Sequence, residues 1–336
     1  MTASKDIAEK TKARLQSYGL FSAQTINAVA KLTQHQASFA TYQDFFTAMG
    51  VPLKPTLFVN KQGRGVYVVD IAPRKKQKGT LVSFLPMGNS LDQNQLYQTA
   101  ALASAFPEYR IIAFGNPSAK PFAHRTERLS LGDWLRVAFT KNSQPAVSAE
   151  LAYLQSQNIS NAQYIGYSYG ALKALLCARY GDIQPRRLVL LDPVAHARYK
   201  KQLLTDFMFT MKPLGEYVNR TGLQTFLDAR NDAVSMIDYT KGLARPVNVA
   251  IGLMLSRIEV MPFIKNLVEK QPTLRVTLAW GTKSELGNDA HMTAEAHGLS
   301  HDVAPGRLQT FRLVGDKHAF ANDLALTAAI LYESIE

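Results

Sequence analysis

With 336 residues, 46% of them apolar, the chain can bury a substantial core and suits one large domain with an insertion or two small domains. Its single cysteine, Cys177, excludes an intrachain disulfide framework and suits a reducing compartment. The formal charge of +12 raises nucleic acid or an anionic surface as a partner, but the basic residues are scattered along the chain. The densest run, 74–78, lies between two strand-like runs, reads as a solvated hairpin turn and has no interleaved aromatic platform, so nucleic acid is not expected as a partner.

In chain order, residues 1–20 are polar and charged, without the apolar stretch of a secretory signal. No later run reaches the length of a membrane span, so a soluble, cytoplasmic protein is expected. Residues 4–48 read as helices: Leu15, Leu20, Ile26, Val29, Ala30 and Leu32 are spaced for one apolar face, with Ser22 as a cap. Runs 56–60 and 65–70 flank a turn at 61–64 and predict a hairpin. Residues 80–86 form an apolar run of the kind that fills a central strand, 91–106 look helical, and 109–114 read as another buried strand. A helix is expected over 145–157.

The run entering Gly166-Tyr167-Ser168-Tyr169-Gly170 is apolar, and the segment leaving it forms a helix without Pro or Gly. This strand–turn–helix context gives the G-x-S-x-G pattern its meaning. A serine hydroxyl becomes a useful nucleophile only when a neighbouring base takes its proton. A tight turn lifts it clear of the sheet, and such a turn requires small residues two before and two after, where Gly166 and Gly170 stand. Strand-like runs follow at 187–193, 274–281 and 307–314, and a final helix at about 321–335. Alternating strands and helices after an initial hairpin argue for a mostly parallel sheet covered on both faces.

The apolar strand ending Leu85-Pro86-Met87-Gly88, the Gly-Tyr-Ser-Tyr-Gly turn, Leu190-Leu191-Asp192-Pro193 and the late Gly315-Asp316-Lys317-His318 together resemble proteins of the α/β-hydrolase fold, over roughly residues 56–195 and 270–334. Met87 stands where members often carry histidine, and the loop after 114 departs from their pattern. The resemblance implies an α/β-hydrolase core over 53–194 and 269–336, with a helical extension at 1–52. It also implies a helical cap at 195–268, whose Met and Phe residues would line an apolar acyl pocket or fill the cap's own small core.

It further implies a Ser-acid-His order along the chain, with Ser168 as nucleophile and His318, on the loop after the last strand, as base. His291 and His301 are rivals to His318, whereas His124 and His196 lack its position. The acid slot, counted from Gly281, falls on Ser284; Glu285 is therefore favoured as acid, Asp289 is the runner-up and Asp192 the third choice. The oxyanion would be held by the backbone N–H of Tyr169 and one from Met87 or Asn89. The dispersed histidines and lone cysteine show no metal-ligand spacing, and no Gly-rich phosphate loop is present, so neither metal nor cofactor is expected. The implied activity is hydrolysis of a carboxylic ester or related acyl bond in an apolar small molecule. The alternative is a non-catalytic protein of the same fold that binds a ligand or a protein partner.

Overall fold

The computed structural model describes residues 2–86, 91, 93–115, 130–140, 142–157, 159, 161–194, 253–255 and 258–335. Its eight strands are β1 (Thr56–Val59), β2 (Gly65–Ile71), β3 (Gly79–Phe84), β4 (Tyr109–Phe114), β5 (Ala162–Tyr167), β6 (Arg187–Leu191), β7 (Arg275–Gly281) and β8 (Leu308–Leu313). They form one sheet in the order β1-β2-β4-β3-β5-β6-β7-β8. β1 and β2 pair antiparallel, β2 joins β4 antiparallel, and every pairing from β4 to β8 is parallel.

The strand sequences explain this placement. β3, β5, β6 and β7 are near-continuous apolar runs and are buried along most of their length, as strands covered on both faces must be. β1 and β8 are partly exposed and close the two edges. Alternate side chains feed two cores. Val82, Phe84, Tyr164, Leu188, Leu190 and Leu278 face one. Leu81, Ile165, Val189, Leu191 and Ala279 face the other.

The first core is closed by α5 (Leu131–Phe139), α6 (Ser148–Ser156), α7 (Tyr169–Tyr180) and α8 (Val260–Lys270). The second is closed by α1 (Thr2–Tyr18), α2 (Ala23–Gln36), α3 (Tyr42–Met49), α4 (Gln93–Ala105) and α10 (Leu324–Ile335). α9 (Asp289–Gly298) lies between β7 and β8 in the chain. Among the described residues, no helix is long and apolar enough to cross a membrane.

The N-terminal helices form as their spacing predicts. Ser22 caps α2 by accepting from Thr25 N at 3.2 Å. Leu15, Ile26, Val29, Ala30 and Leu32 are buried. Leu20 is 38% exposed because it follows Gly19, whose φ of 64° turns the chain between α1 and α2.

Three expectations change. Residues 74–78 do not form a hairpin turn: β2 and β3 are separated by β4, and Arg74 N and Lys75 N donate instead to Pro107 O at 2.8 and 2.9 Å. α5 and α9 are helices that the apolar pattern alone did not mark; each begins at a polar cap, Ser130 accepting from Asp133 N and Asn288 from His291 N. Most of the expected cap, 195–252 and 256–257, lies outside the described residues. The end of that segment belongs to the core: Met254, Leu255, Val260, Met261, Ile264 and Leu267 are buried in the same cluster as α7.

Candidate active site

The site stands where the parallel strands end. β5 and β6 pair with Tyr167 opposite Leu191, so the next residues on the two strands, Ser168 and Asp192, emerge side by side. Ser168 N donates to Leu191 O at 2.9 Å, and Asp192 N to Ala279 O at 2.7 Å. Both residues hold a left-handed backbone, φ 55° at Ser168 and 39° at Asp192, a strained state that local packing must enforce. The two glycines of the turn are sterically required. A Cβ at Gly166 would run into the backbone of Gly170 and Ala171, and one at Gly170 into the backbone of Phe84 and Leu85.

The third group arrives from the far edge. β7 and β8 pair with Gly281 opposite Leu313, and the chain then returns over the strand ends. Lys283 N donates to Asp316 O at 2.8 Å, and a Cβ at Gly281 would strike that same carbonyl. His318 opens a 3₁₀ turn, His318–Asn322. Its Nε2 lies 2.9 Å from Ser168 Oγ and its Nδ1 lies 2.5 Å from Asp192 Oδ2. All three side chains are buried, so each hydrogen bond is made with little competition from water.

The carboxylate beside the imidazole is thus not Glu285, the one favoured from the sequence. Glu285 reaches the main chain of His318, accepting from its N–H at 3.2 Å, and not the ring. Asp289 is turned away altogether, accepting from Arg312 Nε and Nη2 at 2.8 and 2.6 Å and from Trp280 Nε1 at 2.9 Å. Those Arg312 bonds hold the Asp289 carboxyl below the usual carboxylate range. Asp192, the third choice, meets the imidazole because β6 adjoins β5 directly. Ser284, in the slot where an acid was sought, donates its hydroxyl to Asp192 Oδ2 at 2.5 Å. The serine therefore supports a carboxylate presented from the neighbouring strand.

The rival histidines are elsewhere. His301 bonds its neighbour Asp302 on the exposed surface, and His291 faces Glu295 within its own helix. His124 and His196 lie outside the described residues.

Tyr167, which sequence reasoning passed over as a variable position of the turn, is a further contact. Its hydroxyl donates to His318 O at 3.0 Å, and its ring lies over the imidazole with centroids 5.1 Å apart. Tyr169 opens α7, whose first backbone N–H groups have no intrahelical acceptor and carry the positive end of the helix dipole. Its side chain points into the core beside the buried Lys173–Glu150 ion pair. Burial first, and then the charge of Glu150, push its phenol upward so that it stays neutral. Met87 and Asn89, the expected second oxyanion donors, lie outside the described residues. Beside the turn, an apolar recess of about 60 Å³ is bounded by Leu85, Pro86, Tyr167, Leu191, Ala321 and Leu324.

No protein-family model matches the sequence, and no curated protein matches it. Solved structures do match. An esterase from Exiguobacterium antarcticum superposes with a TM-score of 0.57 at 13% identity, covering 83% of this chain and 98% of its own. A thermostable carboxyl esterase from Bacillus coagulans gives 0.55 at 11%, covering 84% and 99%. A bacterial membrane phospholipase A, described as a virulence factor, gives 0.58 at 14%, covering 90% of each chain. With the strand order and the turn after β5, these likenesses show that the chain has the α/β-hydrolase fold.

Proposed function

We propose that the protein is a serine hydrolase that cleaves a carboxylic ester or related acyl bond. One observation carries this reading: the unbroken hydrogen-bonded series Ser168 Oγ, His318 Nε2, His318 Nδ1, Asp192 Oδ2. A protein of this fold that only binds a ligand has no need of a buried carboxylate on the imidazole nitrogen facing away from the serine.

In the proposed reaction, Ser168 Oγ attacks the acyl carbonyl carbon while His318 Nε2 takes the hydroxyl proton. Asp192 holds the imidazole in the tautomer with the proton on Nδ1 and stabilises the imidazolium as it forms. The carbonyl oxygen gains negative charge and is met by the Tyr169 N–H, with a second donor from Met87 or Asn89. His318 then gives its proton to the departing alcohol. Water, deprotonated by His318 in turn, attacks the acyl-serine, and His318 returns that proton to Ser168 Oγ as the acid is released.

The test is labelling with a fluorophosphonate, alongside hydrolysis of p-nitrophenyl butyrate. The wild type should label and turn over, and Ser168→Ala and His318→Ala should do neither. A folded wild type that neither labels nor hydrolyses any ester of a short panel would remove the proposal.

A further inference from the structure

At the opposite ends of the same strands lies a second cavity, of about 500 Å³, within the size range of small-molecule sites. Four arginines border it, Arg186, Arg187, Arg275 and Arg307, together with Gln163 and Tyr109. The sheet register brings them together. Gln163 pairs with Arg187, and Arg187 with Arg275, so three polar side chains stand on one face of three adjacent strands.

Two like charges directly opposite one another destabilise a sheet unless something compensates them. Among the described residues, no carboxylate forms an ion pair with any of the four. Arg187 donates to Ser334 O, Arg307 to the carbonyls of Val268, Gln271, Pro272 and Val303, and Arg186 to Asn161 Oδ1 at 3.0 Å. These bonds satisfy the ends of α8 and α10, which accounts for Arg307 and Arg187 being present. Carbonyl and amide oxygens carry no full charge, so among the described residues the positive charge is not neutralised. Among the described residues Arg275 makes no side-chain hydrogen bond, and it is exposed beside the cavity. Burial first, and then the charges of Arg275 and Arg186, hold the Arg187 guanidinium below its ordinary value.

Gln163 is 5% exposed, lines the cavity, and its Oε1 has no hydrogen-bond partner. Its Nε2 is 3.4 Å from Tyr109 Oη.

We propose that this cavity is a binding site for a compact phosphorylated anion of at least two negative charges, separate from the Ser168 site. Guanidinium groups recognise phosphoryl oxygens through paired, charge-assisted hydrogen bonds, and the concave shape suits a small anion better than an extended polymer.

Calorimetric titration of the full chain with inorganic pyrophosphate at low salt tests the site. Saturable binding at one site per chain is expected. Arg275→Glu should weaken it at least about tenfold, as should Arg275→Ala if the glutamate variant melts at a lower temperature than wild type. Lys61→Glu, the same charge change on an exposed turn at the catalytic end, should leave the affinity within about twofold. Vesicles of phosphatidylcholine with phosphatidic acid form the second arm. Binding to them that pyrophosphate displaces and Arg275→Glu abolishes would place the phosphoryl group on a lipid; its absence would leave a free anion. The site is refuted by absence of saturable pyrophosphate binding, or by equal weakening in Lys61→Glu and Arg275→Glu. It is equally refuted by tighter binding of a single-stranded oligonucleotide that pyrophosphate fails to displace.

Discussion

Replacing Asp192 by Asn, beside Glu285→Gln as its counterpart, tests which carboxylate serves His318. In the proposed transition state His318 becomes an imidazolium, and its Nδ1 lies 2.5 Å from Asp192 Oδ2. With charge centres about 4 Å apart and an effective dielectric near 20, their attraction is about 4 kcal/mol. That is about three decades in rate. An asparagine also permits the tautomer with the proton on the wrong nitrogen, which raises the expected loss in kcat towards about 10⁴-fold. Glu285 accepts only from the His318 main chain, and its amide isostere keeps an acceptor there. Glu285→Gln should therefore cost less than about tenfold. The assay is kcat for p-nitrophenyl butyrate with the rate of fluorophosphonate labelling, on protein whose melting temperature has been checked. The reasoning is refuted if Asp192→Asn stays within about tenfold of wild type while Glu285→Gln falls by about three decades.

Three other outcomes are expected. Ser284→Ala removes the hydroxyl that Asp192 accepts at 2.5 Å and should lower kcat about tenfold, equal to about 1.4 kcal/mol, with KM little changed; an unchanged kcat would show that the hydroxyl is dispensable. Arg14→Ala strips the cation from Asp323, which is 0% exposed, and should cost about 3–5 kcal/mol in denaturant unfolding. Asp289 releases its proton more readily in the folded state because Arg312 binds the charged form, so its stabilising contribution is complete above the unfolded carboxylate value, about pH 4, and is lost as pH falls through the lower folded value. Asp289→Asn should accordingly flatten the dependence of melting temperature on pH below about pH 4 and leave ester turnover at pH 7 unaltered.

The strands and the turn at Ser168 were legible because their information is local. An apolar run of five or six residues can hardly be anything but a buried strand, and Gly166 and Gly170 are imposed by backbone atoms a few residues away. His318 was legible from its order in the chain. The carboxylate beside its imidazole was not, because the choice between Asp192 and Glu285 depends on which strand end lies beside β5, and that is a matter of three-dimensional adjacency. The one available signal was negative: a serine at 284, where an acid was sought, should have turned attention to the aspartate ending the preceding strand. The arginine cavity was hidden for the same reason. Its four cations come from three segments far apart in sequence, so none forms a charge run of the kind seen at 74–78. α5 and α9 escaped because their boundaries are set by the caps Ser130 and Asn288 more than by hydrophobic period.

The helices that come first in the chain grip the segment that carries His318. Tyr18 donates to Asp316 Oδ2 at 2.7 Å, Arg14 bonds Asp323 at 3.0 Å, and Phe21 stacks on Phe311 with centroids 5.8 Å apart. Ser22 N also donates to Glu333 at 2.7 Å, so these anchors span roughly three hundred positions of sequence. During synthesis α1 and α2 can pack against each other early, but their anchors to β8 and α10 wait for segments about three hundred positions later. Contacts of such separation are closed late and slowly. The loop bearing His318 is fixed by the same closure, so the Ser168–His318–Asp192 series is complete only after these anchors form. Any activity would appear only once that closure is made.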